Sequence, residues 1–150
     1  MDKNTLLRKR GTAMLKAKDI MTENVVSVKR NTPIFEAVEL LAKNNITGIP
    51  VVEDDMTLVG ILTEKDVLSL FYADENAKNK VVDDYMTRPA VHFDENESLS
   101  DVCDCLINNV FRRVPVTSNG RVVGIIIRLD FVKYVLRLWH KEPVLTKKSR

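Results

Sequence analysis

The stretch Gly60-Ile61-Leu62-Thr63-Glu64-Lys65-Asp66 decides how this chain is read. An apolar strand runs straight into a helix there, with a hydroxyl and a carboxylate at the junction. The first N–H groups of a helix lack intrahelical partners and carry a partial positive charge, so such a junction suits an anion. The same register returns as Gly124-Ile125-Ile126-Ile127-Arg128-Leu129-Asp130, with isoleucine in place of the hydroxyl. Repetition and difference together carry the reading that follows.

Working outward, the repeat covers most of the chain. Met21-Thr22 recurs as Met86-Thr87 and Pro50 as Pro115, an offset of 65 residues, while Gly60 recurs as Gly124 and Asp66 as Asp130, an offset of 64. One residue is lost in a turn, where Glu53-Asp54-Asp55-Met56-Thr57 faces Ser118-Asn119-Gly120-Arg121. A fixed period of this kind marks an internal duplication.

Each copy predicts the same elements. A short strand comes first, over 24–28 and 90–93. An amphipathic helix follows, with Ile34, Ala37, Val38, Leu41 and Ala42 on its apolar face in the first copy. Leu99, Val102, Cys103, Leu106 and Ile107 occupy the same positions in the second. Both sets keep the i, i+3, i+4, i+7, i+8 spacing of one buried helical face, which makes Cys103 a small core residue. Thr32-Pro33 predicts a capped start with proline at the first helical position, and Ser98 with Asp101 does the same for the second helix. Two strand-like runs follow, 49–52 with 57–62 and 114–117 with 121–127; Asn119-Gly120 is a hairpin turn signal. A last helix closes each copy, over 64–72 and 128–139.

The expected fold class is α+β (α/β): two tandem βαββα repeats packed with pseudo-twofold symmetry and a pair of clefts at their seam. A copy of about 55 residues would be marginal alone, which favours mutual burial. The implied organisation is an N-terminal extension 1–16, domains 17–73 and 81–139, a linker 74–80 and a basic tail 140–150. Both ends beyond the repeat, 1–16 and 141–150, are expected to be loosely ordered.

Composition narrows the function. The chain has 150 residues, 45% of them apolar, with 29% charged and a net charge of +2. That is enough apolar content for a core. No apolar run approaches the roughly 18 residues of a membrane-spanning helix, and the N-terminus lacks the pattern of a secretory signal. Two cysteines, Cys103 and Cys105, are too few for a disulfide framework. Cytoplasmic residence and no membrane association are therefore predicted. Charge is uneven: residues 1–18 and 133–150 each hold six basic and one acidic residue, leaving −8 between them. An acidic centre argues against nucleic-acid binding by the folded part. The closing helix of the second copy is apolar nearly all round (Phe131, Val132, Tyr134, Val135, Leu136, Leu138, Trp139), which predicts a homodimer contact.

The element order, the two Met-Thr pairs, Ile49-Pro50-Val51-Val52, Val114-Pro115-Val116 and Gly-x-x-Thr-x-x-Asp together resemble the CBS domain family. The chain looks like a tandem CBS pair, or Bateman module, over about residues 17–138. That resemblance implies an adenosine nucleotide bound in the clefts between halves, AMP first, with ADP and ATP as alternatives. It places Thr63 at phosphate and Asp66 at ribose, Arg112 and Arg113 at phosphate from the opposite half, and adenine against Pro89, Ala90 and Val91 with Ile61 below. Thr87 lies beside that pocket. A carboxylate can accept from two ribose hydroxyls, and guanidinium groups suit phosphate. In the mirror-image cleft, Thr47 and Gly48 stand where the arginines would be, and Ile127 replaces the threonine. Thr22, Val25, Val26, Thr47 and Asp130 are left either to hold an uncharged nucleoside or to line an empty cleft, so one phosphate-bearing site per chain is expected.

Simpler readings stand beside this one. Thr63 to Asp66 is also a helix-capping signature, and adjacent arginines often face only solvent. No nucleophile–base pair, paired-carboxylate site, clustered metal ligands or P-loop occurs, so catalysis and a metal are not expected. The rival functions are a protein-interaction or dimerisation module indifferent to ligand, and nucleic-acid binding through the basic ends. The regulated partner is not named by the sequence.

Overall fold

In the computed structural model, residues 15–109 and 111–140 are described. The expectations placed on 1–14 and 141–150 lie outside them. Leu15 and Lys16 are not loosely held: Leu15 packs on the core of the second repeat and its carbonyl accepts from Leu99 N–H at 2.9 Å, while Lys16 bridges Ser98.

The first repeat contains helix α1 (Ile34–Asn44), strands β1 (Gly48–Val52) and β2 (Leu58–Thr63), and helix α2 (Glu64–Leu68). The second contains β3 (Phe93–Asp94), α3 (Leu99–Asn108), β4 (Arg113–Ser118), β5 (Arg121–Ile127) and α4 (Arg128–Trp139). Chain direction reverses in two hairpins. β1 and β2 run antiparallel from Gly48 opposite Thr63 to Val52 opposite Leu58, with an irregularity between Val51 and Val52. The second sheet has the order β3-β4-β5, with Phe93 beside Val116 in a parallel pair. Asn119 and Gly120 take positive φ values of 53° and 79°, the conformation a two-residue hairpin turn demands.

The leading strands are shorter than the sequence predicts. Residues 24–28 form only a single parallel bridge, Val28 to Val51, and 90–93 reduces to β3 at Phe93–Asp94. Alternating apolar residues report an extended backbone, and here that backbone finds few ladder partners. The caps differ too. Pro33 is the N-cap of α1, with ψ at 134°, and Thr32 Oγ1 instead accepts from Lys29 N–H at 3.0 Å, closing the preceding turn. Lys80 supplies the carbonyl for Ile34 N–H at 3.0 Å. Ser98 does cap α3, accepting from Ser100 N–H at 3.2 Å rather than forming a reciprocal pair with Asp101. The second closing segment is helical throughout, but the first turns from α into 3-10 geometry at Ser69–Tyr72.

Two cores result. Ile34, Ala37, Leu41, Ile49, Val51 and Leu62 bury together with Val28 and Val82. Leu99, Val102, Leu106, Val114, Val116, Ile126 and Tyr134 bury together with Ala17 and Met21. Ala42 and Ile107, expected on the helical stripes, are exposed. They stand eight residues on, about 80° from the first stripe residue, at the edge of the buried face. Cys103, expected in the core, is only half-buried and does not belong to the buried cluster of the second repeat.

The cores interleave the repeats. Among the described residues one compact unit is Val26–Val91 with Gly120–Val122; the other takes the stretch before it, His92–Asn119, and the stretch after Val122. The reason is local. Val82, Tyr85 and Met86, from the lead of the second repeat, pack with the first repeat's helix and hairpin, and Ala17, Ile20 and Met21 do the reverse.

Candidate functional site

The strand-to-helix junction of the first repeat is built on β2 and one extra strand-like segment. Thr87 pairs with Ile61 through two reciprocal bonds, Ile61 N–H to Thr87 O at 2.9 Å and Thr87 N–H to Ile61 O at 2.8 Å. Gly60 permits that approach. A Cβ at Gly60 would lie 2.7 Å from the Thr87 carbonyl oxygen and 3.1 Å from Met86 Sδ. The Met-Thr pair and the glycine, read from sequence as separate repeat markers, are two sides of one contact.

This contact delivers Thr87 to Asp66. The Thr87 hydroxyl donates to Asp66 Oδ1 at 3.0 Å and to Oδ2 at 3.3 Å. Thr63 adds two donors to Oδ2, its N–H at 2.9 Å and its hydroxyl at 3.0 Å. Asp66 N–H returns a bond to Thr63 Oγ1 at 3.3 Å, completing a reciprocal cap. The capping reading is therefore realised. It leaves room for ligand: a carboxylate has about four acceptor positions, and Oδ1 receives only Thr87 among the described residues. The helix terminus itself contributes little. α2 has five residues, too short for a sizeable dipole. Glu64 N–H is already bonded to Thr47 O at 3.0 Å, so the junction acts through its side chains.

Ile61, Thr63, Asp66, Thr87, Pro89, Ala90 and Val91 all fall in the Val26–Val91 unit. The sequence assigns 89–91 to the opposite half; in the structure the segment falls in the Val26–Val91 unit, and Val82 and Met86 just before it belong to the core of the first repeat. Pro89 is exposed, Ala90 buried and Val91 exposed. Arg112, exposed, and Arg113, half-buried, belong to the other unit, where Arg112 O accepts from Arg128 N–H at 3.3 Å.

The second junction repeats the backbone and not the chemistry. Thr22 and Ile125 exchange two bonds of 2.9 Å, and Met21 crosses Gly124 as Met86 crosses Gly60. Asp130, buried, takes Ile127 N–H at 2.8 Å on Oδ2. Ile127 has no hydroxyl to add. Val25 and Thr47 are half-buried, each in a different unit, and Val26 accompanies Thr47. Among the described residues, no group of three or more His, Cys, Asp or Glu is placed to hold a metal ion. No helix among them is long and apolar enough to cross a membrane.

A fold of two interleaved βαββα repeats, each with a glycine-crossed junction ending in aspartate, defines a CBS-pair protein. The CBS domain family model matches residues 17–73 and 82–137, and the chain belongs to that family. The uncharacterised protein MJ1225 of Methanocaldococcus jannaschii is 41% identical over 122 residues, 81% of this chain and 43% of its own length. Chloroplastic CBSX2 of Arabidopsis thaliana is 29% identical over 150 residues, 80% of this chain and 63% of its own. The chain thus spans only about half to two thirds of these relatives. Among solved structures, CBSX2 in complex with AMP has a TM-score of 0.74 at 33% identity, covering 83% of this chain and 98% of that one. The CBS pair of protein MJ0100, solved with 5′-methylthioadenosine and S-adenosylmethionine, has a TM-score of 0.69 at 29% identity, covering 81% and 96%.

Proposed function

We propose that this chain is a non-catalytic regulatory module whose ligand is an adenosine nucleotide, AMP before ADP or ATP. The observation that carries the reading is the half-buried Asp66 carboxylate, with Oδ1 still able to accept, on a fold similar to CBSX2 solved with AMP. Asp66 takes the ribose hydroxyls, Thr63 and Thr87 flank it, and the base lies against Ile61, Pro89, Ala90 and Val91. Arg112 and Arg113 receive the phosphate, an assignment that rests on the family resemblance. Domains 17–73 and 81–139 are the functional halves, and ligand shifts their equilibrium only through unequal affinity for their poses.

A second, weaker position for an uncharged nucleoside uses Thr22, Val25, Val26, Thr47 and Asp130. The chain acts as a homodimer through the apolar outer face of α4, and a cytoplasmic setting fits its two-cysteine composition.

Titration calorimetry with AMP, ADP, ATP and 5′-methylthioadenosine tests the reading. AMP should bind at about one phosphate-bearing site per chain, and Asp66→Ala should weaken it by at least about tenfold, because charge-assisted bonds are lost. Absence of binding at concentrations on the order of hundreds of micromolar, or an Asp66→Ala protein that binds unchanged, would sink it. A module serving only protein contact would form the same dimer whether or not nucleotide is present.

A further inference from the structure

We infer that Thr87 is a positioning residue for the Asp66 carboxylate and that Gly60 sets its place. Thr63 secures only one oxygen, Oδ2, through its N–H at 2.9 Å and its hydroxyl at 3.0 Å. A carboxylate held at one oxygen can still turn about its terminal torsion, which has broad wells. The Thr87 hydroxyl reaches both oxygens, at 3.0 and 3.3 Å, from 21 residues away in sequence. It fixes the plane in which the remaining acceptor positions lie.

The backbone makes this placement deliberate. Thr87 is clamped to Ile61 by bonds of 2.9 and 2.8 Å, and the clamp closes only because position 60 has no Cβ to meet the Thr87 carbonyl at 2.7 Å. Glycine at 60 therefore governs a side chain that it does not touch. The second repeat keeps the clamp, Thr22 on Ile125 beside Gly124, but has Ile127 where Thr63 would share the aspartate. What the positioned carboxylate receives, a vicinal ribose diol, rests on the function proposed above. Oδ2 already accepts from Thr63, so the diol meets the carboxylate at Oδ1, and the plane that Thr87 sets decides whether that oxygen faces the 2′-hydroxyl.

The test uses the full chain with Thr87→Val, which removes the hydroxyl at nearly constant shape, and Thr87→Ser, which keeps it. The Asp66 Cγ chemical shift reports the carboxylate without ligand; calorimetry compares AMP with 2′-deoxy-AMP. Thr87→Val should move the Asp66 signal and weaken AMP by about threefold to tenfold, the range for one hydrogen bond. It should affect 2′-deoxy-AMP much less, and Thr87→Ser should restore both readouts. Gly60→Ala should move the Asp66 signal with Thr87 intact. An Asp66 signal indifferent to Thr87→Val overturns the inference, and so does equal loss for the two nucleotides. If the parent chain binds no nucleotide while Thr87→Val still moves Asp66, the positioning stands and the proposed ligand falls.

Discussion

At position 124 the absent side chain is a packing requirement. A Cβ there would collide with Met21 Sδ and stand 2.7 Å from Met21 Cγ and 3.1 Å from its Cβ, inside a buried core where Met21 cannot swing away. Gly124→Ala should therefore destabilise the chain by about 1–3 kcal/mol, the usual cost of overpacking. Gly120→Ala should cost about 1–2 kcal/mol for a different reason. Nothing lies within 4 Å of that Cβ, but the φ of 79° is strained for an L residue. Urea unfolding of the asparagine variants separates the two causes. Asparagine tolerates the left-handed region, so Gly120→Asn should recover much of the loss, while Gly124→Asn should be worse than alanine. Equal behaviour of both pairs would contradict this assignment. Sequence marked both Gly60 and Gly124 through the repeat, yet as parts of a strand-to-helix junction. The reason they must be glycine lies in a Met-Thr segment about 26 residues later for Gly60 and over 100 earlier for Gly124, and local pattern cannot connect those.

Among the elements, the hairpins and amphipathic helices were legible because each declares itself by its own periodicity and turn residues. Caps were legible only where a side chain acts within its own turn. Ser98 is such a case, and Ser98→Ala should cost about 1 kcal/mol in urea unfolding. Thr32→Ala should leave the start of α1 intact, since Lys80 O holds Ile34 N–H and Thr32 serves the turn at Lys29. Amide exchange at Ile34 unaltered by Thr32→Ala checks that claim; faster exchange there would restore Thr32 as the cap. The leading strands failed for the opposite reason, because extended backbone needs a remote partner to become a ladder and sequence names none. Burial on α3 has a chemical consequence too. Desolvation pushes the Cys105 thiol above its ordinary pKa, against a smaller opposing bond from Asn109. Less thiolate is then present at pH 8 than for a free cysteine, so iodoacetamide should alkylate Cys105 more slowly than glutathione. A rate equal to or above that of glutathione would refute it.

For the whole molecule, the duplication made the fold class readable, while the exchange of leading segments was hidden. Ala17 and Met21 pack with the second repeat, and Val82 and Met86 with the first; periodicity tells which face of a segment is buried, not which copy buries it. The same limit applies to α4, whose apolar residues were visible but not sorted. The structure sorts them. Tyr134 is buried, and Phe131 and Leu138 pack on the core, while Leu129, Val132, Val135, Leu136 and Trp139 are 46–65% exposed. At about 100° per residue these five cover a continuous arc of about 120°. An apolar stripe of that width in contact with water is costly, and association is the ordinary remedy. Light scattering after gel filtration should find the parent chain at twice its 17.1 kDa mass. Val132→Glu should return it to the monomer, since a carboxylate in the middle of the arc would have to be desolvated without a partner. The circular dichroism of that variant should match the parent, because Val132 faces solvent in the single chain and contributes nothing to the core. A parent chain that stays monomeric at concentrations on the order of hundreds of micromolar, or a Val132→Glu dimer, would remove α4 from the interface.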